Sequence, residues 1–108
     1  MHKMRLQEKY FNLISNGSKT IELRLRDEKR RLIHIGDEIE FSQTNNPTQK
    51  CLKKVKALYE AKDFEQLCAQ IDIAKTGFET ASELVGALEK FYLVEEQKKY
   101  GVLAIELE

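Results

Sequence analysis

A chain of 108 residues is long enough for one domain, spanning 1–108, and too short for two. Its composition, 42 % hydrophobic and 33 % charged, is that of a globular protein with a heavily charged surface. No apolar run nears the ~20 residues that cross a bilayer, and "MHKMRLQEKYF" lacks a signal peptide's apolar centre, so a cytoplasmic protein is expected.

In chain order, residues 3–6 read as a short strand. Tyr10, Phe11, Leu13 and Ile14 then form a helical stripe over residues 8–16, closed by Gly17 as a C-cap. From Lys19 to Arg26 the period changes to two, a strand with Ile21, Leu23 and Leu25 on its core side. "DEKRRLIHIGD" reads as a charged turn, a short apolar return and a Gly36-Asp37 turn. "EIEF" places Ile39 and Phe41 on the core side of the next strand, and a polar loop carries Pro47, the only proline. Residues 51–59 read as a strand with Val55, Ala57 and Tyr59 on one face and Lys54 and Lys56 on the other.

Phe64, Leu67, Cys68 and Ile71 have helical spacing, with Asp63 as N-cap and Gln66 completing a capping box. Thr80 and Glu83 make a second box, before a helix carrying Leu84, Val85, Leu88, Phe91 and Tyr92 on one stripe. "EEQKK" reads as a solvated patch. "YGVLAIELE" reads as a final strand apolar on both faces, with the N-terminal strand as its expected partner. The pattern predicts an α+β fold, a small mixed β-barrel flanked by helices, which leaves few bare edges. Ile21, Leu23, Leu25, Ile39, Phe41, Val55, Leu103 and Ile105 are expected to share one core, and Leu88 to be buried.

Zero net charge hides an asymmetry: residues 1–56 hold 13 basic and 7 acidic side chains, the rest 5 and 11. Either an anionic partner meets the first half, or the halves intermix in space. Cys51, Cys68, His2 and His34 are isolated, so no metal is expected. The chain has no phosphate-cradling glycine loop, no Ser/His/Asp set and no carboxylate cluster; no cofactor is expected, and a monomer is assumed.

"GSKTIELR", with Gly17, Lys19, Glu22 and Arg24, matches the G-x-K-x-x-E-x-R signature of ASCH domains (activating-signal-cointegrator homology). "DEKRR", Gly36-Asp37 and "YGV" resemble the same family, over essentially the whole chain. The resemblance implies a PUA-like barrel with a cleft near the first helix and the signature strand, and RNA or a nucleotide-like ligand as partner. It also implies an alternative, since some small bacterial members are amidohydrolases acting on acetylated cytidine. Those members carry a threonine three residues after the signature lysine, where this chain has Glu22.

The polar residues of the signature have chemistry that suits such a ligand. Lys19 and Arg24 would hold a phosphate, a base carbonyl or an oxyanion, Arg24 through two parallel hydrogen bonds. Glu22 would accept from an exocyclic amine or act as a base, so Lys19 and Glu22 are the catalytic candidates should the protein be an enzyme. A solvated strand face with surface ion pairs is the plain alternative. Arg26, Lys53 and Lys54 are candidate phosphate contacts, as is the Lys29-Arg30-Arg31 triplet unless it pairs with Asp27 and Glu28. Tyr100 is a candidate stacking residue, whereas Tyr92 falls on an apolar stripe and is expected in the core. A regulatory module that binds a protein partner is a third reading.

Overall fold

The computed structural model describes all of residues 1–108. Its strands are β1 (His2–Leu6), β2 (Ile21–Leu25), β3 (Glu38–Gln43), β4 (Lys50–Ala61) and β5 (Val102–Leu107). Its helices are α1 (Glu8–Ser15), α2 (Phe64–Cys68), α3 (Ala81–Glu89) and α4 (Val94–Tyr100), with 3-10 turns at Arg30–Leu32 and Ile73–Thr76. No helix is long and apolar enough to cross a membrane.

The strands form one mixed sheet in the order β1-β3-β4-β5-β2, curled into a half-barrel. β1 runs parallel to β3; the other neighbours are antiparallel. This corrects the expected pairing of the terminal strands, because β5 lies between β4 and β2 and β1 lies at the far edge. β5 is apolar on both faces because both are covered: all six of its residues are buried.

The eight strand residues expected in the core are all buried, but they divide between two cores. Ile39, Phe41, Val55, Leu103 and Ile105 pack on the concave face with Phe11 and Ile14 of α1. Ile21, Leu23 and Leu25 pack on the convex face with Phe64, Leu67 and Cys68 of α2 and Leu84 of α3. Pairing fixes the split: Leu23 stands opposite Ala104 and Leu25 opposite Val102, on the convex side of β5.

A register shift between Val55 and Ala57 inverts the expected parity of β4. Leu58 therefore joins Val55 at the concave core, whereas Tyr59 and Ala61 turn to the convex one. "EEQKK" is exposed at Glu95, Lys98 and Lys99 as expected, but it lies in a helix, α4, that buries Gln97. Its apolar stripe is missing, but Leu93 N donates to Glu96 Oε1 at 3.0 Å, and acidic first-turn and basic last-turn residues suit the helix dipole. The caps at Asp63 and Thr80 form as their spacing predicts, each accepting from the backbone N–H three residues on.

Candidate functional site

β1 and β2 are the two edges of the half-barrel, and the site lies at the seam between them. Within β2, Glu22 stands opposite Ile105 and Arg24 opposite Leu103, so both point to the concave side. A closed barrel would bury them in its core. Here the barrel stays open beside β2, and Arg24 Nη2 reaches across to donate to the Arg5 carbonyl of β1 at 2.9 Å. The Glu22 and Arg24 side of β2 thus forms part of the wall of a cleft.

Lys19 precedes the strand and is brought over it by the turn after α1. Gly17 supplies a left-handed φ of 84°, and Lys19 N then donates to Leu13 O at 2.9 Å. The Lys19 ammonium, on a residue only 3 % exposed, donates to Thr76 O at 2.8 Å and lies 3.3 Å from Glu22 Oε1. It also sits 5.6 Å from the centre of the Tyr10 ring. Gly77, at φ 87°, packs against the lysine stem, 3.7 Å from Cδ in the position a Cβ would take. On the other side, Arg24 Nε donates to Glu22 Oε2 at 2.8 Å.

Glu22 is therefore a buried carboxylate with a cation on each oxygen. Burial alone would raise its pKa; the Arg24 guanidinium, and then the Lys19 ammonium, outweigh burial and hold the carboxyl below the ordinary value. Burial would lower the pKa of Arg24, but Glu22 holds the guanidinium above its usual value. Two fixed cations around one anion leave the cluster with net positive charge.

This cluster borders a cavity of about 370 Å³, within the range of small-ligand sites. Tyr10, Phe78, Leu84, Leu88, Phe91 and Tyr92 make its apolar and aromatic walls, and Arg5, Gln7, Lys19, Glu22 and Arg24 its polar side. The backbone of β2 contributes as well. Thr20 O accepts from Leu107 N of β5 and Arg26 N donates to the carbonyl of Gly101 just before β5, so by alternation Leu23 turns its N–H and C=O to the open edge beside the cavity it lines. No Ser, Thr or Cys side chain is among the lining residues.

The structure thus brings Lys19, Glu22 and Arg24 together and leaves the other candidates apart. Arg26 pairs with Glu60 at 2.8 Å on the surface. Lys53 stands opposite Ile39 and Lys54 opposite Glu38, so they point to opposite faces of the sheet and do not form one patch. Tyr100 packs partly buried against the convex core. Tyr92, expected only in the core, also faces the cavity, and Leu88 is a half-buried wall residue. Thr76, Gly77, Phe78 and Tyr10 also belong to the site; "TGF" at the end of a 3-10 turn is the local signal for the first three, but what they meet is set by tertiary contact.

The ASCH domain model matches residues 4–108. Among solved structures, the hypothetical protein PH0355 is 41% identical with a TM-score of 0.84, the match covering 98% of this chain and 95% of that one. Protein PF0455 from Pyrococcus furiosus is 35% identical with a TM-score of 0.72, covering 99% of this chain and 94% of that one. The ASCH protein of Zymomonas mobilis shares the fold at 17% identity, with a TM-score of 0.70 over 98% of this chain and 65% of that one. Comparison with functionally curated proteins finds no match.

Proposed function

The chain belongs to the ASCH domain family, and on that premise we propose that it is a cytoplasmic binding module for RNA or a nucleotide-like ligand, whose base enters the cavity between β1, β2 and α3. The observation that carries this is the Lys19–Glu22–Arg24 cluster, buried, fixed on both carboxylate oxygens and set beside an aromatic-walled cavity. A flat heterocycle suits such a slot: aromatic walls take its faces, and its polar edge meets charged and backbone groups. Glu22 offers its remaining lone pairs to an exocyclic amine, Arg24 donates to a carbonyl or ring nitrogen, and the open-edge backbone of Leu23 supplies a donor and an acceptor.

Binding is favoured over amide hydrolysis because both carboxylate oxygens of Glu22 are held by cations, which makes the group a weak base. The cavity also lacks an aliphatic hydroxyl or thiol to attack an acyl carbon. The test uses equilibrium titration with the four ribonucleosides and their nucleotides, followed by tyrosine fluorescence, since Tyr10 and Tyr92 line the cavity and the chain has no tryptophan. Saturable binding that weakens in Arg24→Ala is expected. Parallel incubation with acetylated cytidine should leave the acetyl group in place. Efficient deacetylation that is lost in both Lys19→Ala and Glu22→Gln would make the protein an amidohydrolase instead.

A further inference from the structure

The 3-10 turn Ile73–Thr76 bonds to groups on both faces of the sheet. On the cavity side, the Lys19 ammonium has two acceptors in the chain, Glu22 and the Thr76 carbonyl at the end of this turn. On the other side stands a second buried carboxylate, which the site described above does not use. Glu106 of β5 lies opposite Ile21 of β2, whose side chain is in the convex core, and its own side chain is 10 % exposed. Its Oε1 accepts from the Tyr59 hydroxyl at 2.9 Å and its Oε2 from the Lys75 ammonium at 3.3 Å. The Tyr59 hydroxyl, and then the Lys75 ammonium, outweigh burial and hold the carboxyl below its ordinary value, so it is ionised at neutral pH.

Lys75 and Thr76 are consecutive, so a single peptide unit joins the two faces. Lys75 O accepts from Thr20 N at 2.8 Å, next to Lys19, and Thr20 O accepts from Leu107 N at 2.7 Å, next to Glu106. Lys75 is thus held at its carbonyl by the start of β2 and at its ammonium by β5. A four-residue 3-10 turn has poor hydrogen-bond geometry of its own, so its place on the sheet depends on such anchors. The same turn carries an aromatic wall. Thr76 Oγ1 accepts from Phe78 N at 3.3 Å, and the Phe78 ring stacks on Tyr10 with centres 6.0 Å apart, both rings lining the cavity. A shift of Lys75 would therefore displace an acceptor of Lys19 and one cavity wall together.

We propose that Lys75 and Glu106, with Tyr59 behind them, are positioning residues for the site on the opposite face of the sheet. They fix the turn so that Thr76 O holds the Lys19 ammonium beside Glu22 and Phe78 stays against Tyr10. The consequence for binding rests on the base-binding cavity proposed above; the effect on Lys19 rests on the hydrogen-bonded path alone. That path is continuous, from the Tyr59 hydroxyl through Glu106 and Lys75 to Thr76 O, Lys19 and Glu22. A surface ion pair that acted only on stability would have no such continuation into the cavity.

The test records the NMR signal of the Lys19 ammonium in the ligand-free wild type, Lys75→Met, Lys75→Arg and Tyr59→Phe. Each protein is then titrated with the four ribonucleosides and their monophosphates. Lys75→Met keeps the stem and removes the charge. Its Lys19 signal should shift and broaden, and the tightest-binding probe should lose about 2–30-fold in affinity, the span of coupling through such networks. Lys75→Arg keeps a cationic donor for Glu106 and should restore both readouts. Tyr59→Phe loses a single hydroxyl and should move the Lys19 signal the same way by less, a readout that stands even if Lys75→Met fails to fold. Glu60→Gln, which breaks the surface pair with Arg26, should leave the Lys19 signal and the affinity unchanged. A Lys19 signal unmoved in Lys75→Met and Tyr59→Phe would overturn the positioning role, whatever the ligand. A moved signal with full affinity in Lys75→Met would overturn it as well, because Lys19 would then not be set for binding. A moved signal in a protein whose wild type binds no probe would keep the effect on Lys19 and overturn the base cavity.

Discussion

Glu22 sits on the inner side of an edge strand, where a side chain is neither bathed in solvent nor sealed into a closed core. Its folded-state pKa lies below the unfolded one, so its pairing contributes stability that is complete above the ordinary glutamate value. That contribution disappears as pH falls through the folded-state value. Glu22→Gln should therefore melt well below the wild type at pH 7, and the gap should narrow in thermal melts taken progressively below pH 4.5. A constant gap would mean that Glu22 is not charged in the native protein. Removing one partner is costly: Lys19→Ala should lose about 3–5 kcal/mol in denaturant melts, because a buried carboxylate loses one of its two cations. Replacing the whole cluster with apolar side chains of similar size is a different experiment. Lys19→Met, Glu22→Leu and Arg24→Leu together should leave stability unchanged or raised while abolishing ligand binding, since buried ion pairs are retained at a cost to stability. A triple variant that fails to fold would make the cluster structural.

The elements differ in how far local sequence fixes them. α1, β2 and the caps of α2 and α3 were legible because their signals are local: a stripe, an alternation, an acceptor three residues before its donor. α4 was not, because charge placement and one backbone cap replace an apolar stripe. Nor was the fold-over in β4, where a single bulge at Lys56 moves Tyr59 from one core to the other. Leu88 shows the same limit at the site: helical spacing gives its face, but not that the face borders a cavity. Leu67→Ala, at a fully buried position, should cost about 2–5 kcal/mol, and Leu88→Ala clearly less, as read by urea titration. Equal losses would place Leu88 in the core after all. At the end of α4, Gly101 has φ 74° and a Cβ there would lie 3.3 Å from Ala61 O, so Gly101→Ala should cost more than about 1 kcal/mol.

At the scale of the molecule, topology decides which charges act together. Lys3, Arg5, Lys50 and Lys54 share the outer face of β1, β3 and β4 with Glu38 and Glu40, a basic surface that reaches the cavity through Arg5. The signature Lys19–Glu22–Arg24 was legible in the sequence; its aromatic surroundings were not, because Tyr10, Phe78 and Tyr92 come from three separate segments. If RNA crosses the outer face, Lys54→Gln should lower the slope of log affinity against log salt by about 0.7, the share of one phosphate contact on a single strand, and Lys53→Gln by much less.

Crystals grown with the tightest-binding nucleotide would test the central claim most directly. The account predicts a planar base between Tyr10, Phe78 and Tyr92, its edge within hydrogen-bonding distance of Glu22 and Arg24. A nucleotide bound on the outer sheet face, with the cavity beside β2 holding only water, would contradict it.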